Sequence, residues 1–308
     1  MTMCVYYEGV IMIKKSCFKQ IHLLAVLLLL PLCLLVGCGN GGTPPAVQPE
    51  QLSGEQAVVF SGDGLAQESR MLLSEMLELP DARYEHVYST INNWPTEKVY
   101  AARGVRMSVL LREAGLLDEA KLITVKGLND FSWSFTREEL LETPRFYYPG
   151  VVTGDAAGAE PAEPILAYQY REDSFDLNDA QDGPLCLIVP QANIREQTNI
   201  AFVKGVKEII VSAEDPGKWP LATVFPEEGN IAPGETIKLQ HQDLGKVKMY
   251  YTLDGSDPDE NSALYNPSTY QPELNKPIAP EGDVVIKVLV KGFGKHDSDI
   301  AEYHFRKT

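Results

Sequence analysis

The sequence predicts an α+β domain followed by an all-β domain, both exported behind an N-terminal leader. From about residue 57 to residue 215, segments with a helical period alternate with short apolar strands. From residue 218 to the end the helical period is lost, and short strands follow one another between turn sequences. At 308 residues the chain is long enough for two domains that each bury a core.

The leader has a positive segment followed by a short apolar run. Three lysines lie between residues 14 and 19, and the run over residues 23–36 is shorter than the ~20 residues of a membrane-spanning helix. The run ends in Leu-Val-Gly-Cys38, which resembles the lipobox of bacterial lipoproteins. This resemblance implies a signal peptide over residues 1–37, acylation of Cys38 with palmitate-type chains, and an extracytoplasmic protein anchored in the membrane by lipid. An uncleaved signal anchor is the alternative.

Charge and cysteine content limit the class of partner. The chain has 27 Lys and Arg against 43 Asp and Glu, a net charge of −16, and no clustered basic face. This excludes nucleic acid as a partner and excludes a polybasic membrane-binding patch.

Of the five cysteines, Cys186 alone remains a free thiol once the leader is removed and Cys38 is acylated. An exported chain of this kind has no internal disulfide and depends on packing for its stability.

The N-terminal region begins after a Gly- and Pro-rich segment, residues 38–56, which predicts a flexible tether. A helical period predicts helices over residues 70–79, ending before a proline, and over 104–114, ending before a glycine. Thr136 and Glu139 have the spacing of a capping box. The expected strands of this domain, residues 57–215, are 122–126, 165–170, 185–190 and 206–212.

The C-terminal region, residues 218–308, contains expected strands at 236–240, 247–253, 284–290 and 301–305. The run Tyr-Tyr-Thr-Leu-Asp-Gly-Ser-Asp-Pro resembles the C-terminal domain of chitobiase and β-hexosaminidase type. This resemblance implies an all-β immunoglobulin- or fibronectin-like sandwich that serves as a spacer or adhesion module. We expect the acidic side chains of its loop to accept hydrogen bonds in Asx turns; calcium is the alternative. The acids concerned are Asp254, Asp257 and Asp259.

Several stretches of the N-terminal region resemble the molybdopterin-binding domain of sulfite-oxidase type in order and spacing. The resemblance extends over most of residues 84–212 and implies an α+β molybdopterin-oxidoreductase-like fold. In that family a cysteine thiolate binds molybdenum beside the pterin dithiolene. The residues that carry the resemblance are Gly104-Val105, Leu110 to Gly115, Val125 to Phe131, Pro164 to Tyr168, Asp182 to Pro190 and Phe202 to Val211.

The chain departs from this family at the positions that hold the cofactor. Residues 88–96, where the family's cysteine is expected, contain none. Cys186 stands where the family has an arginine, and a thiol does not form the bidentate hydrogen bonds of a guanidinium. Lys204 fits the family's lysine near the pterin and is the one candidate cofactor-binding residue. The apolar run around Cys186 predicts a buried strand with an inert thiol.

The histidines and one group of aromatic side chains are two further candidates for ligand binding. Four of the five histidines follow the leader without metal-ligand spacing, so no metal site is predicted. His86 lies in the region of the missing cysteine; a surface histidine or one with satisfied hydrogen bonds is expected there, and a catalytic or ligand role is the alternative. Phe131, Trp133 and Phe135 alternate along a predicted strand. Core packing is the expected explanation of these rings. A ligand platform beside the tyrosines at 147–148 is the alternative.

These observations favour a non-catalytic lipoprotein that keeps a molybdopterin-oxidoreductase fold as a binding or scaffolding module, with no cofactor. A cell-envelope protein or a glycan is the expected partner. One alternative is a molybdopterin-dependent oxidoreductase with an atypical set of metal ligands. The other is a carbohydrate-binding surface lipoprotein.

Overall fold

The computed structural model describes residues 55–268 and 271–308, and this part of the chain is mostly β-structure with few helices and several sheets. All of these residues belong to one compact unit. The strands of the N-terminal region are β1 (Ala57–Ser61), β2 (Ser69–Leu72), β3 (Arg83–Ile91), β4 (Glu97–Arg106), β5 (Leu122–Lys126), β6 (Ser132–Thr136), β7 (Phe146–Tyr147), β8 (Glu160–Pro161), β9 (Ile165–Glu172), β10 (Gln181–Ile188) and β11 (Glu208–Ser212). The helices are α1 (Leu73–Glu78) and α2 (Met107–Glu113), with a π-helical turn at Glu138–Glu142 and short 3-10 turns at Leu128–Asp130, Val151–Thr153, Leu177–Asp179, Asn199–Ala201 and Pro272–Leu274.

Two sheets share the core of the N-terminal region. One has the order β2-β1-β11-β5-β6, in which β1 and β11 are parallel, and the other has the order β10-β9-β4-β3. Strands β7 and β8 form a separate pair. The two larger sheets and α2 bury one continuous apolar cluster, which includes Phe60, Leu110, Ile165 and Val211. Burial of this apolar surface is the main stabilising contribution.

The two predicted helices are wrong in their first residues. Residues 69–72 form β2, which pairs with β1, and only Leu73–Glu78 is helical. Residues 104–106 continue β4, where Val105 pairs with both Arg83 and Leu166, and the helix begins at Met107. In both cases hydrogen bonding to a neighbouring strand overrides a local helical period. The predicted strand at 122–126 is β5, and the other three predicted strands of this region overlap β9, β10 and β11.

The regular secondary structure of the described C-terminal residues consists of strands and the 3-10 turn at Pro272–Leu274. Its strands are β12 (Thr223–Phe225), β13 (Gly229–Ile231), β14 (Lys238–Gln240), β15 (Lys248–Thr252), β16 (Ala263–Leu264), β17 (Val284–Lys291) and β18 (Ala301–Lys307). A sheet of order β13-β18-β17-β15-β16 and the pair β12-β14 share a second apolar cluster. Met249 on β15 points into that cluster, so the alternation of a strand places Lys248 and Tyr250 on the opposite face.

The acidic loop after β15 is built from Asx turns. The Asp254 carboxylate accepts from the backbone N–H and the hydroxyl of Ser256, and the Asp259 carboxylate accepts from the N–H groups of Asn261 and Ser262. Asp257 pairs with Lys287 at 2.7 Å. The bonds of Asp254 and Asp259 confirm the predicted Asx turns, whereas Asp257 forms an ion pair in place of such a turn.

The predicted signal peptide at 1–37, the lipidation site Cys38 and nearly all of the tether at 38–56 lie outside the described residues. Within residues 55–268 and 271–308, no helix has the length and apolar character needed to span a bilayer.

The turn after β17 joins the two regions. The Phe293 ring lies 5.2 Å from the ring of Phe135 on β6, and Phe293 packs against the N-terminal cluster. Gly294 has φ +84°, and a Cβ at this position would lie 2.8 Å from the carbonyl oxygen of Ser134. The backbone N–H of Gly294 donates to the carboxylate of Glu139 at 2.9 Å. A side chain at position 294 would therefore strain the turn and push β6 away.

We predict that Phe293→Ala lowers the free energy of unfolding by about 2–3 kcal/mol, because it removes a large apolar contact between the two regions and leaves a void. The matched control is Phe225→Ala, since the Phe225 side chain is 60% exposed. Urea unfolding of both variants measures the difference. If both variants lose the same free energy of unfolding, Phe293 does not form a stabilising contact between the two regions.

Candidate functional site

Cys186 is buried, as the sequence predicts, and the candidate cofactor-binding residue Lys204 is exposed. Cys186 is 1% exposed on β10, within the N-terminal apolar cluster, and burial raises the pKa of its thiol to about 12. A thiol in this environment behaves as a small hydrophobic side chain and does not supply a thiolate, as its apolar run predicts. Lys204 is exposed on the loop before β11, and its ammonium forms no hydrogen bond or ion pair with the described residues.

Residues 88–96, where the sequence resemblance places a cysteine, contribute to a hydrogen-bonded cluster. Ser89 on β3 is fully buried and donates to Gln191 at 2.6 Å, while the hydroxyls of Thr90 and Thr198 are 2.8 Å apart. Cys186 is the only cysteine among the described residues, which also contain no cluster of three His, Cys, Asp or Glu side chains able to hold a metal. The donor set therefore does not fit a thiolate-bound molybdenum centre.

His86 is part of an aromatic cluster on β3. Its ring stacks on Tyr84 at 5.9 Å and meets the edge of Tyr147 at 5.6 Å. Its Nε2 atom lies 3.7 Å from Glu160, and its side chain is 18% exposed. The contacts explain this histidine as a packed side chain.

The three aromatic residues near β6 do not form one exposed surface. Phe131 is 45% exposed, Trp133 is half-buried, and Phe135 is fully buried against Phe293. Tyr147 contacts His86, and Tyr148 packs on Phe146, so the tyrosines do not extend a platform from β6. Phe135 serves the core, as expected for an alternating apolar strand.

A cavity of about 540 Å³, the junction cavity, lies between the N-terminal and C-terminal regions. This volume is within the range of small-molecule sites. None of the candidate site residues predicted from the sequence lines it. Its ionisable lining consists of six basic residues, Arg145, Arg195, Lys246, Lys248, Lys291 and Lys295, five acidic residues, Glu138, Glu139, Glu196, Glu260 and Asp297, and also Tyr250 and His296.

The loop after β10 supplies one wall of the junction cavity. Gln191 is fully buried and fixes this loop, because its amide donates to the carbonyl oxygens of Ile194 and Glu196 while its carbonyl accepts from Ser89. The hydrogen bonds of Gln191 thus hold Arg195, Glu196 and Gln197 at the cavity. The guanidinium of Arg195 continues to the C-terminal region, where it donates to the carbonyl oxygen of Asn261 at 3.1 Å.

Arg145 anchors the floor of the junction cavity. Its side chain is 2% exposed and pairs with Glu196 at 3.0 Å. It also donates to the carbonyl oxygens of Glu139 and Pro190, at 2.9 and 2.7 Å. These partners satisfy a buried guanidinium and keep it in one position, so Arg145 has a structural role in the site.

Glu139 links the cavity floor to the turn that contains Phe293. Its carboxylate accepts from the N–H of Thr136, and its own N–H donates to the Thr136 hydroxyl, which confirms the predicted capping box. The same carboxylate accepts from Gly294. Burial raises the pKa of Glu139 to about 7 in spite of these hydrogen bonds and the nearby Arg145.

A smaller cavity of about 400 Å³, the tryptophan cavity, lies beside the junction cavity and shares Lys246, Phe293 and Lys295 with it. Trp133 and Trp219 line it. The Trp133 indole N–H is buried without a hydrogen-bond acceptor in the described part of the chain.

Comparison with known proteins gives a family-model match and distant structural similarities. A family model described as Fn3 associated matches residues 237–305. The C-terminal region contains an Fn3-associated domain. No curated protein matches the chain. Among the solved structures that match is "Crystal Structure of the Sulfane Dehydrogenase SoxCD from Paracoccus pantotrophus", with 12% identity and a TM-score of 0.34, over 79% of this chain and 68% of that chain.

We predict that Glu139→Gln removes a pH dependence of stability. The carboxyl has a pKa of about 7 in the folded state and the ordinary glutamate pKa of 4.5 when the chain is unfolded. Between these pH values the folded state holds more protons than the unfolded state, so this group makes the free energy of unfolding fall as pH rises, by on the order of 2–3 kcal/mol. Urea unfolding of both proteins at pH 5 and pH 8 measures the effect.

The control for this comparison is Glu138→Gln, which changes an exposed neighbour on the same turn. It should follow the wild-type pH dependence. If Glu139→Gln shows the same fall in stability as the wild type, Glu139 does not titrate with a raised pKa.

Proposed function

We propose that this chain is a lipid-anchored, extracytoplasmic binding module without catalytic activity, and that the junction cavity is its binding site. The observation that carries this proposal is a cavity of about 540 Å³ lined by polar side chains from both regions. Ligand sites commonly lie between two packed regions of a chain, where a concave surface forms without disturbing either core.

Redox chemistry is not part of this proposal, because the sole thiol of the described residues is buried and protonated and the position of the family's cysteine is filled by a hydrogen-bonded cluster. No step through molybdopterin is therefore derived. The remaining resemblance concerns the fold, and the same fold can carry different functions.

The Fn3-associated domain has two roles in this proposal. It supplies β15 and the β17–β18 turn as one wall of the junction cavity, and it projects the site from the membrane toward cell-envelope components. The finer resemblance to the chitobiase-type domain supports such an adhesion or spacer role. A carbohydrate is the second candidate ligand, favoured by the two tryptophans and the partnerless indole N–H of the tryptophan cavity.

Native mass spectrometry of the full chain, purified in detergent from its own host, tests the binding function. We expect a small solute to remain bound to the wild type and to be lost from Gly245→Trp. Gly245 lines the junction cavity, and a Cβ there meets nothing within 4 Å, so the indole takes up ligand space without strain. Gly282→Trp is the control, since Gly282 is equally open and lies away from the cavity. No bound solute, or equal retention by Gly245→Trp, would contradict the proposal.

We predict that Cys38→Ser abolishes the lipid anchor. The serine hydroxyl does not replace the acylated thiol, so the variant should accumulate as an unprocessed precursor without lipid. Metabolic labelling with an alkyne analogue of palmitate measures acylation. Cys33→Ser, which changes another cysteine of the leader, is the control and should keep the label. Labelling of Cys38→Ser at the wild-type level would refute the assignment of Cys38.

A further inference from the structure

Lys248 on β15 is half-buried, and its ammonium is held by backbone carbonyl oxygens alone. Its ammonium donates to the carbonyl oxygens of Asn266 at 3.0 Å and Pro267 at 3.4 Å, and no carboxylate of the described residues forms an ion pair with it. An ammonium has three donors, so one remains available. Burial lowers the pKa of Lys248 to about 8, because no negative charge offsets the loss of solvent.

Two further polar groups of the junction cavity lack partners. The side-chain carbonyl oxygen of Gln197 is buried and has no hydrogen-bond donor, although its amide nitrogen donates to Pro267 at 2.8 Å. Gln197 as a whole is 8% exposed. The hydroxyl of Tyr250 also forms no hydrogen bond with the described residues, and Tyr250 lines the same cavity. Buried polar atoms without partners are costly and are normally satisfied by protein, water or ligand.

The side chains of Lys248 and Gln197 lie close together in the junction cavity. Both side chains donate to the carbonyl oxygen of Pro267, which fixes the ammonium and the amide next to each other. Because the amide nitrogen is used in this way, the side-chain oxygen is left as a free acceptor beside the cation. The cavity thus presents a positive charge and a hydrogen-bond acceptor together.

The acidic residues of the cavity do not neutralise Lys248. Glu196 pairs with Arg145 at 3.0 Å, and Glu260 and Asp297 both pair with Lys291 at 2.9 Å. Lys246 and Lys295 also line the cavity and form no ion pair within the described chain. The basic residues of the cavity that form no ion pair with a carboxylate of the described residues are therefore Arg195, Lys246, Lys248 and Lys295, in a protein whose net charge is −16.

We propose that the junction cavity binds a small organic anion, whose carboxylate or phosphate pairs with Lys248 and whose hydroxyl or N–H group donates to Gln197. This inference rests on the proposed binding function and adds the chemical class of the ligand. A charge-assisted hydrogen bond supplies affinity in a partly dry site, and the donor group satisfies the side-chain oxygen of Gln197, which the described residues leave without a donor. Tyr250 adds a hydroxyl that donates to the same anion.

Four six-carbon probes separate the requirement for a negative charge from the requirement for a hydrogen-bond donor. Glucuronate carries a carboxylate and hydroxyls, glucose carries hydroxyls only, and hexanoate carries a carboxylate only. Glucose 6-phosphate tests phosphate as the source of the charge. Isothermal titration of the detergent-solubilised full chain, freed of bound solute by dialysis, should give glucuronate or glucose 6-phosphate an affinity about 10- to 100-fold above those of glucose and hexanoate.

Two variants test the assigned residues. Lys248→Met keeps the length of the side chain and removes the charge, and we expect it to lose about 10- to 100-fold in affinity for the anionic sugar while leaving the weak glucose affinity unchanged. Tyr250→Phe keeps the ring and removes the hydroxyl, and its affinity for the anionic sugar should fall by a smaller factor than that of Lys248→Met. Lys238→Met is the control, because Lys238 is an exposed lysine on β14 outside the cavity. Thermal unfolding of each variant confirms that it is folded.

Three results would overturn the inference. If glucose binds as tightly as glucuronate, or if Lys248→Met binds the anions like the wild type, the cavity is a binding site but does not select an anion. If neither anionic sugar binds below about 10 mM, the anion class is wrong, whereas the binding function itself fails only if the native protein also carries no solute. Preference for the anionic sugars that depends on Lys248 supports the inference.

Discussion

The contact between the Phe293 turn and β6 is the constraint on which the site depends. Phe293 packs against Phe135, and Gly294 fits against the backbone of Ser134 while it donates to Glu139. This contact holds the Fn3-associated domain against the N-terminal sheets, and the junction cavity is the space that remains beside it. Without the contact, Lys248 and Tyr250 would face solvent, because both lie on the outer face of the C-terminal sheet.

Electrostatics gives this geometry its functional meaning. An isolated ammonium loses hydration when it is buried, and a carboxylate partner is the usual compensation. Arg145 and Lys291 have such partners and serve as structural cations, whereas Lys248 has only carbonyl oxygens. The difference between these cations in one cavity separates the groups that hold the site together from the group that is available to a ligand.

The sequence is most informative where a local pattern and the tertiary structure agree. The strand at 122–126, the capping box of Thr136 and Glu139, and the burial of Cys186 all follow from local patterns. The helices at 70–79 and 104–114 are predicted too long, because residues 69–72 and 104–106 pair with neighbouring strands. Strand pairing between distant segments leaves no local trace in the sequence.

The residues of the junction cavity were not found from the sequence, for a related reason. Lys248 follows an expected pattern of a polar residue on a half-buried strand, and Gln197 lies in a loop without a motif. Lys248 is a candidate because no carboxylate pairs with it, and Gln197 because no group donates to its side-chain oxygen. Both facts depend on the three-dimensional arrangement, which the sequence does not show. The absence of a cysteine from residues 88–96, in contrast, can be read from the sequence, and it argues against a molybdenum centre bound by a thiolate.

The most direct test of the account is a crystal structure of the protein purified from its own host grown with molybdate, with anomalous data collected at the molybdenum edge. We predict density for a small organic molecule in the junction cavity, in contact with Lys248 and Gln197, and no molybdenum signal. A molybdenum peak with pterin density beside residues 88–96 would contradict it.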